Sequence, residues 1–328
     1  MLAIERAAVA YCCATLLLMA VLWPQLMRPA DMLAMRGMWA LMTLALITLG
    51  TVVSARWQAM RLWTVLVRVA AQLMWLQQWY PDTYELNSSF CNLDYLFASW
   101  EQSLFGCQPS IEFSAALPQP FWSEAFNLGY ASYFPMILVL TLALFAKAML
   151  PAWRGEGRPV MHELEQPTTV IICAFFIYYC IYIFLPVVGP QFYFCAVGTD
   201  QIQQGHFPEL GHYFATHSDM LPKPGWAGGL FHRLMELAQA AGERLTAAFP
   251  SSHIGVATIM LLLARRSVPR LLWLYVPLWV LLCCATVYIQ AHYLIDAIAG
   301  LLSAPIVYWA ALRLTKICLT RETAVSHA

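Results

Sequence analysis

The run Thr168-Thr169-Val170-Ile171-Ile172-Cys173-Ala174-Phe175-Phe176-Ile177-Tyr178-Tyr179-Cys180-Ile181-Tyr182-Ile183-Phe184-Leu185-Pro186-Val187-Val188 carries no charged side chain over 21 residues. A helix of about 20 apolar residues is what the hydrocarbon layer of a bilayer requires. Seven more apolar segments can be drawn around it, at 7–27, 38–55, 62–80, 128–146, 252–263, 271–290 and 294–314. The chain of 328 residues is 61% hydrophobic and 11% charged, outside the range of a soluble domain. The expected fold is all-α: a polytopic membrane helix bundle of about eight transmembrane helices. Segment 252–263 is short and needs Arg265 and Arg266 to snorkel at its inner end. The first segment follows Arg6 without a convincing small-x-small cleavage site, so it reads as an uncleaved span.

Lys and Arg placement sets the expected orientation. Arg56 and Arg61 lie between segments two and three, Lys147, Arg154 and Arg158 between four and five, and Arg265, Arg266 and Arg270 between six and seven. Arg313, Lys316 and Arg321 cluster at the end of the eighth segment. The positive-inside rule then puts both termini in the cytoplasm, with Arg28 and Arg36 as exceptions on the first outer loop. Net charge is zero, so nothing points to a nucleic-acid partner. The ten cysteines form no C-x-x-C pair; Cys12-Cys13 and Cys283-Cys284 read as small apolar core residues.

Two outer loops stand out, near 81–127 and 189–250. In the first, Asp94 to Glu101 reads as an interfacial helix that Leu104-Phe105-Gly106 ends. Cys91, Cys107 and Cys195 lie outside, where Cys91–Cys107 is the first disulfide to test and three free thiols the alternative. Asn87-Ser88-Ser89 fits a short glycosylation sequon.

The second outer loop leads into Phe249-Pro250-Ser251-Ser252-His253. Proline and serine suit a helix N-terminus, where free N–H groups and the macrodipole favour an anion. About forty residues on stands Ala291-His292-Tyr293-Leu294-Ile295-Asp296, with His292 and Asp296 four apart on one helix face. A carboxylate beside an imidazole fixes its tautomer and stabilises the imidazolium, as a nucleophilic or basic histidine needs. Alone, each pattern also fits a helix cap with a solvated partner. The topology places His253 and His292 on the same side, and that joint placement favours chemistry. His206, His212, His217 and His232 show no metal-ligand regularity and read as surface or interfacial; His162 is cytoplasmic and His327 lies in the tail. Arg68, inside the third segment, binds either a lipid phosphate or a structural counter-ion.

Pro250-Ser251-Ser252-His253 resembles the second motif of the type 2 phosphatidic acid phosphatase superfamily, and His292…Asp296 its third. The resemblance implies that His292 is the nucleophile, Asp296 its orienter, and His253 the acid and then the base. Ala285 and Thr286 stand where phosphatases of that superfamily carry a Ser-Arg pair, and their Lys…Arg-Pro first motif is not recognisable here. The sphingolipid synthases of the superfamily share these departures. Leu185-Pro186-Val187-Val188-Gly189-Pro190-Gln191 and Asp94…Glu101…Leu104-Phe105-Gly106-Cys107-Gln108-Pro109 are similar to segments of its inositol phosphorylceramide synthases, although several of those carry arginine at the place of Gln191.

The branch resemblance implies a phosphotransferase that moves a phospho-head group, phosphoinositol first among them, from a phospholipid donor to a ceramide-like acceptor through a phosphohistidine. It needs no metal and no cofactor. Ser251, Ser252, Gln191, Tyr193, Asp94, Glu101 and Arg68 are its candidate substrate contacts. Residues 1–61 form N-terminal transmembrane helices and 62–328 a catalytic transmembrane domain with a six-helix core. A bacterial inner membrane with a periplasmic site, or a Golgi membrane with a lumenal one, is the expected setting. A lipid phosphate phosphatase of the same superfamily competes with this reading, as does a transporter or scaffold without covalent chemistry.

Overall fold

The structure is a computed structural model that describes residues 1–242 and 248–325, with side chains left out of the description at 238–242 and 321–325. His327, the side chain of Arg321 and residues 243–247 of the second outer loop lie outside the described residues. Among the described residues the chain is helical throughout and has no strand.

Three helices come first: α1 (Ala3–Leu22), α2 (Pro29–Arg56) and α3 (Arg61–Asn87). The first outer loop folds into α4 (Asp94–Phe105), α5 (Pro109–Ala116) and α6 (Pro120–Ala131). α7 (Tyr133–Trp153) and α8 (His162–Phe184) follow. The second outer loop carries α9 (Pro190–Val197), α10 (Thr199–Gln203) and α11 (Leu230–Gly242). The chain closes with α12 (Ser252–Ser267), α13 (Leu272–Tyr288) and α14 (Leu294–Val325). Proline at the first helical position starts α2, α5, α6 and α9, where its missing N–H costs nothing. Gly106, at φ 72°, ends α4 in the left-handed conformation a Cβ disfavours.

Seven helices are long and apolar enough to cross a membrane: α1, α2, α3, α7, α8, α13 and α14. The protein is an integral membrane helix bundle. α12, at 16 residues, rises only about 24 Å, short of a full hydrocarbon layer. α8 is the central post, apolar on every face and packed against α1, α3, α7, α12 and α14. α2 lies outermost, packed on α3 with most of its surface toward the lipid. α4–α6 and α9–α11 form a cap at the end where α3 and α8 finish.

The buried charges redraw the expected span limits. Arg36 belongs to α2 rather than to an outer loop, and its guanidinium pairs bidentately with Asp82 of α3 at 2.6 and 2.9 Å. Arg36 thus joins Arg68 as a cation within a span. The Arg68 guanidinium closes on Glu5 of α1 at 2.6 and 2.7 Å. That pair stands near the start of α3, at the end of the bundle away from the cap, and makes Arg68 the counter-ion of Glu5. Hydrocarbon tolerates such groups because each is neutralised where it lies.

Three smaller expectations also change. Cys91, Cys107 and Cys195 are free thiols, and the Cys91–Cys107 bridge is not formed. Asn87 is the last residue of α3, buried, with its amide donating to the Tyr182 carbonyl, which closes it to glycosylation. His232 is buried rather than at the surface, with Nδ1 3.4 Å from the Asn127 amide and Nε2 3.3 Å from Glu236.

Candidate active site

Three loop segments run alongside one another beneath the cap: 186–191, 248–251 and 290–296. Backbone bonds stitch them together. The N–H of Ala248 donates to the Val187 carbonyl at 3.0 Å, that of Gln191 to Gln290 at 2.9 Å, and that of Ser251 to Asp296 at 3.0 Å. Gly189 lies so close to this braid that a Cβ there would sit 2.5 Å from the Ala291 carbonyl oxygen. The stitching brings the two histidine motifs together although 39 residues separate them.

His292 and His253 face each other with Nε2 and Nδ1 3.4 Å apart. His292 Nδ1 lies 2.8 Å from the Ala248 carbonyl oxygen, an acceptor only, so Nδ1 carries the proton and donates it there. In the neutral ring Nε2 is then the nitrogen with the lone pair, turned toward His253 Nδ1 and toward Ser251 Oγ at 3.3 Å. Asp296 stands 3.7 Å from His292 Nδ1, too far for a hydrogen bond and near enough for charge attraction. Its Oδ2 instead accepts the Tyr293 N–H at 2.9 Å. The Ala248 carbonyl is thus a nearer partner of His292 Nδ1 than Asp296 is. Nothing in the sequence marks a backbone acceptor 44 residues upstream.

His253 sits between two aromatic rings, Tyr130 at 4.9 Å and Tyr133 at 4.6 Å between centroids. Tyr182, at the cap end of α8, accepts the Ser252 N–H at 2.8 Å and donates to the Pro250 carbonyl at 2.9 Å. Ser251 caps α12, its Oγ accepting the Ile254 N–H at 3.5 Å. The backbone N–H groups of Ser251, Ser252 and Ile254 are therefore engaged within the protein. The open helix N-terminus expected as an anion cradle is mostly occupied.

The acidic residues of α4 bind backbone groups of the braid. Asp94 is fully buried and accepts the Val188 N–H at 2.7 Å, the Gly189 N–H at 2.9 Å, the Asn92 amide at 2.6 Å and the Tyr293 hydroxyl at 3.0 Å. Burial outweighs those bonds and pushes its pKa up to about 6. Glu101, also fully buried, caps the start of α14 through the Ile295 N–H at 3.1 Å. Burial, with Asp296 adding repulsion, pushes its pKa up to about 8. Glu101 Oε2 and Asp296 Oδ1 have no hydrogen-bond partner among the described residues. Asp94 and Glu101 are clamps on the braid. Their acid side chains at i and i+7 on the buried face of an amphipathic helix were the available signal.

Gln191 and Tyr193 hold the second outer loop. Gln191 Oε1 accepts from Lys223 Nζ and its carbonyl accepts the Leu221 N–H, while the Tyr193 hydroxyl donates to Pro208. Lys223, a cation beside the braid, escaped the sequence reading because no motif surrounds it. Arg68 is remote, as described above. Ala285 and Thr286 are buried, and the Thr286 carbonyl accepts the His292 N–H at 3.0 Å. An apolar cavity of about 340 Å³ opens beside this centre between α5, α12, α13 and α14, lined among others by Phe113, Ile254, Val287, Leu294 and Ala297.

No curated protein and no solved structure matches the chain. A profile of the PAP2 superfamily matches residues 97–310, a stretch that begins within α4, ends within α14 and includes both histidine motifs. Members of that superfamily transfer or hydrolyse phosphoryl groups. The chain belongs to the PAP2 superfamily.

Proposed function

We propose that the protein is a lipid phosphotransferase that carries a phospho-head group on His292 from a phospholipid donor to the hydroxyl of a second lipid. The observation that carries this reading is His292 with Nδ1 2.8 Å from the Ala248 carbonyl and Nε2 turned toward His253 at 3.4 Å. Nε2 attacks the donor phosphorus as the bond to the diacylglycerol oxygen breaks, and His253, which takes up a proton as the anionic phosphate enters beside it, gives that oxygen its proton. His253 then takes the proton of the acceptor hydroxyl, whose oxygen attacks the phosphohistidine and returns the electron pair to Nε2. At 3.4 Å the two rings leave no room for a phosphorus atom, so they part as the phosphate enters.

Two features favour a diester donor, with one negative charge, over a dianionic monoester. Ala285 and Thr286 supply no cation beside His292, and most first-turn N–H groups of α12 are already bonded. The cavity at Ile254 and Ala297 supports lateral access for a lipid chain. Phosphatidylinositol as donor and a ceramide as acceptor are the pair the motif resemblance favours. Arg56, Arg61, Arg154, Arg158 and Arg270 gather at the bundle end away from the histidines, which supports a site on the outer face, periplasmic in a bacterium or lumenal in a eukaryote.

Purified protein in mixed micelles with labelled phosphatidylinositol and ceramide tests the reading. Labelled head group moving to ceramide supports it, and release to water as inositol phosphate makes the protein a hydrolase instead. His292→Ala is expected to lower turnover at least about 10⁴-fold and to abolish acid-labile label on the protein. Full turnover in that variant removes the mechanism.

A further inference from the structure

At the opposite end of the bundle, a second cavity of about 240 Å³ lies between α7, α8, α12 and α14. Unlike the cavity at the histidines, it is polar: Lys147, His162, Glu163, Gln166, Arg266 and Tyr308 are among its lining residues. Lys147 is held by Glu163 at 2.8 Å, which neutralises both. Arg266 of α12 is exposed, and among the described residues no carboxylate pairs with it. The Lys147–Glu163 pair cancels, and Arg266 is left as the cavity's unbalanced positive charge. Gln166 and Tyr308 add neutral donors beside it.

We infer that this cavity is a binding site for the head group of an anionic phospholipid in the leaflet facing away from the histidines. The argument is one of place and charge. A basic pocket between membrane helices, at the depth of the lipid phosphates, meets a high local concentration of anionic head groups. An exposed guanidinium there presents a planar fork that matches two phosphate oxygens. The neutral donors complete the shell of a phosphodiester, and the Lys147–Glu163 pair keeps the wall from drawing a second anion. Bulk cations such as Arg154 and Arg158 lie on the α7–α8 connection without lining the cavity.

The site joins the last turn of α12 to the middle of α14, two helices whose first turns lie at the histidine centre. Arg266 sits in the last turn of α12, 13 residues from His253, and Tyr308 on α14 lies 12 residues from Asp296. A head group bound to both elements braces α12 against α14 without touching substrate. This inference concerns lipid binding and stands apart from the proposed transfer reaction.

Native mass spectrometry of the full chain, delipidated and then offered phosphatidylglycerol or phosphatidylcholine, tests it. The wild type is expected to retain phosphatidylglycerol in preference, and Arg266→Gln to weaken that retention about fivefold. Arg154→Gln and Arg158→Gln, outside the cavity, are expected to leave it unchanged. Equal losses in all three variants mean a diffuse surface charge, and no loss in Arg266→Gln means another locus; either result overturns the proposal. Inorganic phosphate is the second arm. If millimolar phosphate raises the unfolding temperature of the delipidated wild type as much as phosphatidylglycerol does, the site takes a free anion and the lipid assignment falls. Far-ultraviolet circular dichroism on each variant separates a lost site from a lost fold.

Discussion

His292 Nδ1 is 2.8 Å from the Ala248 carbonyl and 3.7 Å from Asp296, and the difference has a kinetic consequence. Where an aspartate alone fixes a catalytic histidine, replacing it by asparagine inverts the tautomer and costs about 10⁴-fold. Here a backbone carbonyl holds the tautomer, so Asp296→Asn forfeits only the attraction between its charge and the imidazolium. We expect kcat to fall about 10²-fold, well short of the His292→Ala loss, and steady-state turnover of the two variants side by side checks it. Equal losses mean that Asp296 sets the tautomer after all. Glu101 makes stability depend on pH. Its pKa stands at about 8, above the ordinary carboxylate range, so between pH 4.5 and 8 the folded protein holds a proton the unfolded chain has released. The associated stability is complete below about pH 4.5 and is lost as pH rises through 8, by up to about 1.4 kcal/mol per pH unit. Asp94 acts in the same direction, but its contribution is spent above about pH 6. Thermal unfolding between pH 7 and 9 is therefore expected to drop in the wild type and to stay flat in Glu101→Gln. The histidines were legible because ionisable groups at the mouths of apolar runs stand out. Of Asp94 and Glu101 only the shared helix face was legible, and their backbone partners, 94 and 194 positions away, were not.

At the scale of elements, the braid under the cap depends on one backbone conformation. Gly189 has φ 94° and ψ 167°, a region closed to residues with a Cβ, and faces the Ala291 carbonyl. Gly189→Ala is expected to cost at least about 1–3 kcal/mol from strain alone and to push Ala291, and with it His292, out of register. Gly106→Ala is the control: its φ is also positive, at 72°, but open space surrounds it, so it costs about 1 kcal/mol and leaves turnover intact. Unfolding temperatures and kcat for the pair check this. If both variants lose stability and turnover alike, the close approach to Ala291 carries no weight. The apolar cores of the helices were readable from hydropathy, whereas their ends were not. Arg36 and Asp82 looked like loop residues because isolated charges usually delimit a span, and the sequence does not show that these two neutralise each other 46 positions apart. Hydropathy reads each position alone; pairing belongs to the packed bundle.

For the whole molecule, these pairs bear on whether residues 62–328 form a unit separate from 1–61. α1 is sewn into the bundle: Tyr11 stacks on Phe176 of α8 at 4.1 Å, Glu5 holds Arg68, and Arg36 of α2 holds Asp82. Removing 1–61 strips partners from two charges on α3 that stand at 12% and 2% exposure in the intact protein. An orphaned buried charge costs about 3–5 kcal/mol, more than most folded domains can lose twice. We read the boundary near residue 61 as one of connectivity alone. We expect the 62–328 fragment to unfold at markedly lower temperature than the full chain. The same fragment with Arg68→Met and Asp82→Leu is expected to recover part of the loss, because those substitutions remove the stranded charges and leave only the missing apolar contacts. Scanning fluorimetry in one detergent on the three proteins decides it. A fragment as stable as the full chain makes 1–61 a dispensable appendage. A doubly substituted fragment no better than the plain one assigns the coupling to apolar packing around Tyr11 and Phe176 instead of to charge.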